Sequence, residues 1–190
     1  MILETLVTTV DGRGTPNVAP MGVEWGEEEI VLKPYRETAT FRNLLQVPEA
    51  VVNLVEDVVP YVESALASPS FPSTPARAVR GIVLDAACSW RELRVHASDT
   101  AEPRARFACA VVHRELRREF VGYNRARAAV LEATILATRT RFLPMADILA
   151  EYRRLQVIVD KTAGPREQEA MALLTAFVRK EAAALESGAR

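Results

Sequence analysis

Residues 15–22 read Thr-Pro-Asn-Val-Ala-Pro-Met-Gly and combine an amide, small side chains and two prolines. In a regular strand, Asn17, Ala19 and Met21 share one face, because side chains alternate with a period of two. A small residue between prolines leaves a shallow surface with free backbone groups, which suits a flat ligand lying close to the chain. The alternative is an irregular edge strand with a bulge, since proline removes a backbone donor. The spacing alone favours neither interpretation.

A second stretch, residues 33–40, reads Lys-Pro-Tyr-Arg-Glu-Thr-Ala-Thr and places cations and hydroxyls where a strand ends and a helix begins. The free N–H groups at a helix N-terminus bind phosphate readily. Arg36 can add a bidentate contact, and Thr38 and Thr40 can donate their hydroxyls. Glu37 would repel a phosphate unless its side chain points away. The alternative is a capped helix with two surface cations.

Arginine is dense between residues 104 and 127, where only two glutamates interrupt it. The arginines are Arg104, Arg106, Arg114, Arg117, Arg118, Arg125 and Arg127. Such density is typical of a nucleic-acid-binding patch. However, the run has few aromatic residues on which bases could stack, and it covers a strand and a helix rather than one face. A solvated face or intramolecular ion pairs are therefore the favoured interpretation.

The helix predicted after Gly122 is rich in alanine, which favours close packing or a dimer surface. Glu132 and Arg139 lie about two helical turns apart on one face of it. Because their neighbours are apolar, the spacing predicts a buried ion pair, which would have to be satisfied internally.

The sequence contains no Gly-x-Ser-x-Gly, P-loop, Gly-x-Gly-x-x-Gly or His-Glu-x-x-His motif. Cys88 and Cys109 lie in apolar runs without ligand spacing, so we expect them to be buried and reduced, as in a cytoplasmic protein. His96 and His113 are too few for a histidine-built metal site, and no metal is expected. The first residues also lack the basic and apolar regions of a signal peptide.

The formal net charge of −1 hides an asymmetry along the chain. Residues 1–70 carry 4 of the 24 basic and 11 of the 25 acidic side chains, and residues 71–190 carry the other 20 and 14. Lys33 is the single lysine of the acidic part, which makes it a notable phosphate candidate. At 49% apolar residues and 26% charged residues, the composition excludes a disordered, collagen-like or membrane-spanning chain.

The hydrophobic pattern changes from a strand period to a helical period at Gly122. Strands are predicted at 2–10, 15–23, 30–35, 50–55, 79–84, 86–97 and 104–113. Short helices are predicted at 38–45 and 57–66, a surface loop at 67–76, and longer helices at 123–138, 145–157 and 167–185. Strands followed by helices indicate an α+β fold rather than alternating βαβ units. A small closed antiparallel barrel is the expected arrangement, because closure removes the strand edges.

Several segments together resemble a prokaryotic family of flavin-binding split-barrel proteins that is known as a domain of unknown function. The resemblance covers nearly the whole chain. It is carried by the opening Ile-Leu-Glu-Thr, the Gly-x-Pro-Asn-x-Ala-Pro-Met-Gly segment at 14–22, the strand-to-helix segment with Arg36, Thr38 and Asn43, the Ala-Val-Val-Asn at 50–53, and the helix with Asn-Arg-Ala at 124–126, Leu-Glu-Ala at 131–133 and Thr-Arg at 138–139.

The resemblance implies an α+β FMN-binding split β-barrel over residues 1–120 and a C-terminal three-helix extension over 121–190. It also implies a homodimer with FMN at the interface, in which residues 17–22 line the isoalloxazine and residues 33–40 hold the phosphate. The cofactor-binding residues expected on this basis are Asn17, Val18, Ala19, Pro20, Met21, Gly22, Lys33, Tyr35, Arg36, Thr38, Thr40, Asn43 and Asn53.

The function expected from the resemblance is that of an oxidoreductase, similar to flavin reductases, which exchanges hydride or electrons with a small molecule through bound FMN. A flavin carrier without catalytic activity is the first alternative. A nucleic-acid-binding protein rich in arginine is a remote one, and neither nucleic acid nor a membrane is an expected partner. No side chain is an obvious proton donor, which is consistent with the cofactor performing the chemistry. The resemblance does not define the substrate.

Overall fold

The computed structural model describes residues 1–188 and divides the chain into two compact units. The first unit contains Met1–Glu56 and Ser68–Phe120. The second contains Asp57–Ala67 and the chain that follows Phe120. The chain therefore leaves the first unit for one short helix and returns to it before the C-terminal helices begin.

The first unit is a closed antiparallel barrel whose strands follow the order β1-β2-β3-β8-β7-β4. A separate two-stranded hairpin, β5-β6, and one helix, α1, accompany the barrel. The bounds are β1 Ile2–Val10, β2 Pro16–Glu24, β3 Glu29–Leu32, α1 Ala39–Gln46, β4 Glu49–Val55, β5 Ser73–Pro75, β6 Ile82–Leu84, β7 Ala87–Asp99 and β8 Arg106–Leu116. The predicted α+β class and the small antiparallel barrel are confirmed.

The barrel interior is filled by apolar side chains that alternate with outward-facing residues along each strand. Helix α1 covers one end of the barrel, where Phe41 and Leu44 join the interior core. The Phe41 ring meets that of Phe107 edge-on, with the centroids 6.0 Å apart. The strand residues of this core are Val7, Val23, Ile30, Leu32, Ala50, Val52, Leu93, Phe107 and Cys109.

The second unit is built from four helices: α2 Val59–Leu66, α3 Arg125–Ala137, α4 Met145–Thr162 and α5 Pro165–Gly188. Its core includes Val62, Ala133, Ile148 and Leu174, which are fully buried. The Tyr152 hydroxyl donates to the Ala133 carbonyl at 2.7 Å, so helix α4 is fixed to helix α3. In the part of the chain described, no helix is both long enough and apolar enough to cross a membrane.

Three predictions about individual elements are wrong. The loop at 67–76 contains β5, which pairs with β6, and the strand predicted at 79–84 begins only at Ile82. Glu132 and Arg139 do not form a buried pair, because both side chains are exposed. The buried face of α3 consists instead of alanine, valine and threonine side chains, which pack closely without buried charge.

Candidate functional site

Strand β2 has one fully paired edge and one nearly open edge. It pairs with β1 at all nine of its residues. Within residues 1–188, its ladder with β3 consists of the single pair Glu24↔Val31. Residues 16–23 therefore expose backbone groups along one edge. Pro16 and Pro20 have no N–H, and they are tolerated here because this edge has no ladder that needs one. This open edge is the split in the barrel.

The chain that would continue β3 turns away from β2 and joins the start of β8. Tyr35 forms an isolated bridge with Arg104. The Arg36 N–H donates to the Pro103 carbonyl at 3.1 Å, and the Ala105 N–H donates to the Pro34 carbonyl at 3.0 Å. This pairing explains why β2 lacks a partner, since the segment that could have provided one is bound to β8.

Thr38 begins helix α1 as its N-cap. Its Oγ1 accepts from the Phe41 N–H at 3.3 Å and donates to the Tyr35 carbonyl at 2.7 Å. A capping hydroxyl satisfies one of the N–H groups that a helix leaves free at its start. The cap fixes where α1 begins relative to Tyr35.

The two stretches singled out in the sequence form the two sides of one gap, called here the β2–α1 gap: residues 17–22 on one side and residues 33–40 on the other. At one end, the Asn17 Nδ2 donates to the Thr40 Oγ1 at 3.2 Å. At the other end, Glu24 and Lys33 form an ion pair. The structure thus brings together most of the candidate residues.

The two faces of β2 have different surroundings. Asn17, Ala19 and Met21 share a face, as expected, and Met21 packs against the interior core, so this face turns inward. Val18, Pro20 and Gly22 alternate with them and face outward, and all of residues 17–22 are half-buried. A Cβ at Gly22 would lie 2.9 Å from atoms of Ile2 and Glu4, so these side chains lie over the outer face.

Lys33 is less available to a phosphate than the sequence suggests, because its ammonium group donates to the Glu24 carboxylate. This hydrogen bond lowers the pKa of Glu24, and the charges of Lys33 and Arg106 act in the same direction. Lys33 is therefore already partly neutralised at neutral pH.

Arg104 also lies beside the gap. In the sequence, it was recognised only as one member of the arginine run. Its guanidinium lies 5.5 Å from the centroid of the Tyr35 ring. Its Nε donates to the Lys33 carbonyl at 2.9 Å, although the two residues are 71 positions apart. Arg36 is exposed and held by its main chain next to this pair. Arg36 and Arg104 therefore lie near each other at this side of the gap.

Two asparagines on the candidate list are buried and hydrogen-bonded within the barrel. Asn43 donates to the Thr9 Oγ1 at 3.1 Å and fixes α1 to β1. Asn53 is fully buried, donates to the Leu6 carbonyl at 3.1 Å and accepts from the Leu84 N–H at 2.9 Å. These contacts give both residues a role in holding elements together, away from the surface of the gap.

Much of the arginine run is engaged in contacts within the chain. Arg114 contacts Glu28 at 2.6 Å, and Arg118 contacts Glu56 at 2.8 Å. Arg127 contacts Glu167 at 3.1 Å. These are intramolecular ion pairs of the kind that the sequence analysis favoured. Among the described residues, no group of three His, Cys, Asp or Glu side chains is placed to hold a metal ion.

Comparison with known proteins places this geometry in a family. Residues 3–118 match the N-terminal domain model of a protein family of unknown function, DUF447, and residues 124–176 match a second DUF447 model. An FMN-bound protein of the same family from Methanosarcina mazei is similar over 93% of this chain and 94% of its own, with 23% identity and a TM-score of 0.81.

More distant similarity covers about three fifths of the chain. An NADH:FAD oxidoreductase of Streptomyces globisporus matches 60% of this chain and 75% of its own, with 11% identity and a TM-score of 0.52. A Haemophilus somnus protein described as a flavin reductase matches 60% and 80%, with 12% identity and the same TM-score. These likenesses confirm the split-barrel fold, and the two family matches show that the chain belongs to the DUF447 family.

Proposed function

We propose that this protein is a flavoprotein that binds FMN at the β2–α1 gap. The observation that carries the proposal is the conjunction of two facts. A member of the same family binds FMN in a structure that matches 93% of this chain. In this chain, the two stretches predicted to hold a flavin form the two sides of one half-buried gap.

The residues present at the gap fit the two ends of FMN. Its isoalloxazine is flat and carries carbonyl and ring-nitrogen acceptors, which suit the N–H groups of an open strand edge such as that of β2. Its phosphate suits guanidinium groups, which form charge-assisted bidentate hydrogen bonds. Arg36 and Arg104 supply such groups, beside the capped start of helix α1.

When bound, FMN would supply hydride or electron transfer, while the protein supplies orientation and electrostatics. On this proposal, the β2 edge orients the ring and the two arginines hold the phosphate. The buried contacts of Asn43 and Asn53 keep α1 and the strands in place and touch no ligand.

The wider proposal is an oxidoreductase that exchanges electrons with a small molecule, acts as a homodimer with FMN at the interface and resides in the cytoplasm. The similarity of 60% of this chain to a flavin oxidoreductase and to a protein described as a flavin reductase supports the reaction class. The substrate and the electron donor are left open.

The absorption spectrum of the purified protein tests flavin binding. We expect a yellow protein that releases FMN on denaturation, or an apoprotein that regains the flavin spectrum when FMN is added. A colourless protein that cannot be reconstituted would refute both the oxidoreductase and the flavin carrier.

Anaerobic reduction separates these two functions. Bleaching of the bound flavin by NADH or NADPH supports the oxidoreductase, whereas flavin that neither nicotinamide reduces favours a carrier or a different donor. A salt-dependent shift of mixed oligonucleotides would instead support nucleic-acid binding.

A further inference from the structure

Several segments of the barrel unit meet beside helix α1 and form one exposed surface, called here the arginine face. The Gly12 N–H, in the β1–β2 turn, donates to the Gln46 Oε1 of α1 at 3.0 Å. The Arg80 N–H donates to the Glu49 Oε2 at 2.8 Å, and the Arg80 guanidinium donates to the Gly12 carbonyl at 3.5 Å. The arginine face consists of residues 11–14, 42–46 and 76–80 together with Glu49 and Arg94.

The cations of this face are exposed and outnumber its acids. Its five arginines are all exposed: Arg13, Arg42, Arg77, Arg80 and Arg94. Its acids are Asp11 and Glu49. Within residues 1–188, the guanidinium groups of Arg13 and Arg77 have no hydrogen-bond or ion-pair partner. The face therefore presents an excess of positive charge.

The two acids are engaged within the face and do not cancel this charge at the surface. The Asp11 carboxylate accepts from the N–H groups of Arg13 and Thr15, at 2.9 and 2.8 Å. The Glu49 side chain is only 15% exposed, and its carboxylate contacts Arg94 at 3.2 Å. The carboxylates thus hold the turn and the loop in place beneath the exposed guanidinium groups.

The other end of the barrel, at the β2–β3 turn, has the opposite arrangement. There Arg114 contacts Glu28 at 2.6 Å and Glu27 at 3.8 Å, and His96 contacts Glu29 at 2.9 Å. Intramolecular ion pairs account for the arginine at that end. They do not account for Arg13 and Arg77, which remain available to an external anion.

The residue types of the arginine face fit an acidic protein better than a nucleic acid. Leu45, 58% exposed, lies three residues after Arg42 on the same side of α1. Protein interfaces combine apolar side chains with arginine. The segments of the face contain no aromatic residue on which a base could stack.

Helix α1 connects the arginine face to the β2–α1 gap. Thr40, in its first turn, accepts from Asn17 across the gap, and Arg42 follows two residues later. A helix of this length spans about 12 Å. A protein bound at the face is therefore about one helix length or less from the gap.

We infer that the arginine face docks an acidic electron-transfer protein, which supplies electrons to the flavin of the β2–α1 gap. The inference rests on the proposed flavin binding. A donor that carries one electron is oxidised in each encounter, so two donor molecules reduce one bound FMN, and two protons come from solvent. Complementary charge on the two proteins accelerates their encounter.

Anaerobic mixing of the FMN-loaded full-length protein with a reduced acidic [2Fe–2S] ferredoxin tests the inference. Bleaching of the flavin absorption gives the second-order rate constant. We expect this rate constant to fall about tenfold from low to high salt, because salt screens the complementary charges.

Charge reversal locates the docking surface. Arg13→Glu combined with Arg77→Glu is expected to lower the rate constant about tenfold and to leave the FMN affinity unchanged, since neither guanidinium makes a contact in the fold. Replacing both residues by lysine keeps the charge and is expected to keep the rate. The matched control reverses Arg141 and Arg153, two exposed arginines of the helical unit, and is expected to keep the rate as well.

The outcomes separate this inference from the proposed function. A protein that binds no FMN refutes both. Bound FMN that dithionite reduces but the ferredoxin does not overturns the inference alone, as do equal rates in the Arg13→Glu/Arg77→Glu variant and its control. A variant that loses oligonucleotide binding or reduction by NADPH, but not reduction by the ferredoxin, would assign the face to a nucleic acid or a dinucleotide instead.

Discussion

At the scale of single residues, the phosphate side of the proposed flavin site depends on Arg36. Its main chain is fixed to Pro103, and its side chain is exposed beside the gap. We expect Arg36→Ala to raise the dissociation constant of FMN about tenfold, which is about 1.4 kcal/mol, because a charge-assisted contact to the phosphate is lost. Quenching of FMN fluorescence during titration of the apoprotein measures this.

Arg117 is the control for this prediction. Its guanidinium donates to the carbonyls of Leu84 and Asp85, both at 2.8 Å, and lies over the Trp90 ring. Arg117→Ala is expected to leave the FMN affinity within twofold, while Arg104→Ala weakens it as Arg36→Ala does. Equal affinities of Arg36→Ala and Arg117→Ala would show that the phosphate is held elsewhere.

The Glu24–Lys33 pair gives stability a small dependence on pH. Lys33 lowers the pKa of Glu24 in the folded protein below its usual value, 4.5. The contribution is therefore present above that value and is lost as the pH falls through the lowered pKa of the folded state. Because both side chains are more than a third exposed, its size is at most about 1 kcal/mol.

Chemical denaturation of the wild type and of Glu24→Gln at a series of pH values measures this effect. The wild type is expected to be slightly more stable at pH 7, and the difference is expected to vanish only as the pH falls below the lowered pKa of Glu24 in the folded state. A constant difference down to pH 2 would show that the ion pair is not its source.

Both cysteine thiols are predicted to be unreactive in the folded protein. Burial raises the pKa of Cys109 to about 12 and also raises that of Cys88. Because the thiolate is the reactive form, a thiol reagent at pH 8 is expected to label neither cysteine in the native state and both after denaturation. Rapid labelling of the native protein would contradict the buried positions of the two thiols.

At the scale of elements, the β5–β6 hairpin depends on Asn53. Its Oδ1 accepts from the Leu84 N–H, and its amide donates to the Leu6 carbonyl of β1. Asn53→Ala leaves both buried groups without this partner, so we expect the free energy of unfolding to fall by about 1–3 kcal/mol. Thermal and chemical denaturation measure the loss.

Two further measurements make this prediction specific. Thr74→Ala, at an exposed position of β5, is expected to change stability by less than about 0.5 kcal/mol. The folded Asn53→Ala protein is expected to bind FMN as the wild type does. A large loss of FMN affinity without a loss of stability would show that Asn53 serves ligand binding.

The elements were predictable where the hydrophobic period was long and uniform. Strands β1, β2 and β4 and helices α3 to α5 lie close to their predicted positions. Strand β5 has three residues among prolines, too few to show a period, so its pairing with β6 could not be predicted. The exposure of Glu132 depends on which face of α3 meets α4 and α5, which a single helix does not reveal, and Arg139 lies beyond the last residue of α3.

At the scale of the whole molecule, the predictable part of the candidate site is the part that is local in sequence. The two sides of the gap belong to neighbouring segments, so the sequence was sufficient to select both. The contact between Arg104 and the Lys33 carbonyl joins residues 71 positions apart and exists because β3 pairs with β8 to close the barrel. The neutralisation of Lys33 by Glu24 likewise depends on the register of β2 and β3.

The proposed homodimer would cover side chains that lie exposed beside the gap. Ile2, 68% exposed, lies over Gly22 on the outer face of β2, and Tyr35, 52% exposed, lies on the opposite side. A second subunit covering the gap would bury both side chains and shield the flavin from water. Sedimentation equilibrium is expected to give twice the chain mass of 21.0 kDa.

Ile2→Asp tests whether the same surface serves dimerisation and flavin binding. The side chain is exposed in the single chain, so the change is not expected to unfold the barrel. A buried aspartate at an interface would disfavour association, so we expect a shift towards monomer together with weaker FMN binding. Val157→Asp, at an exposed apolar position of α4, is the control and is expected to change neither. A monomeric Ile2→Asp protein with full FMN affinity would separate the two properties and place the flavin site within one subunit.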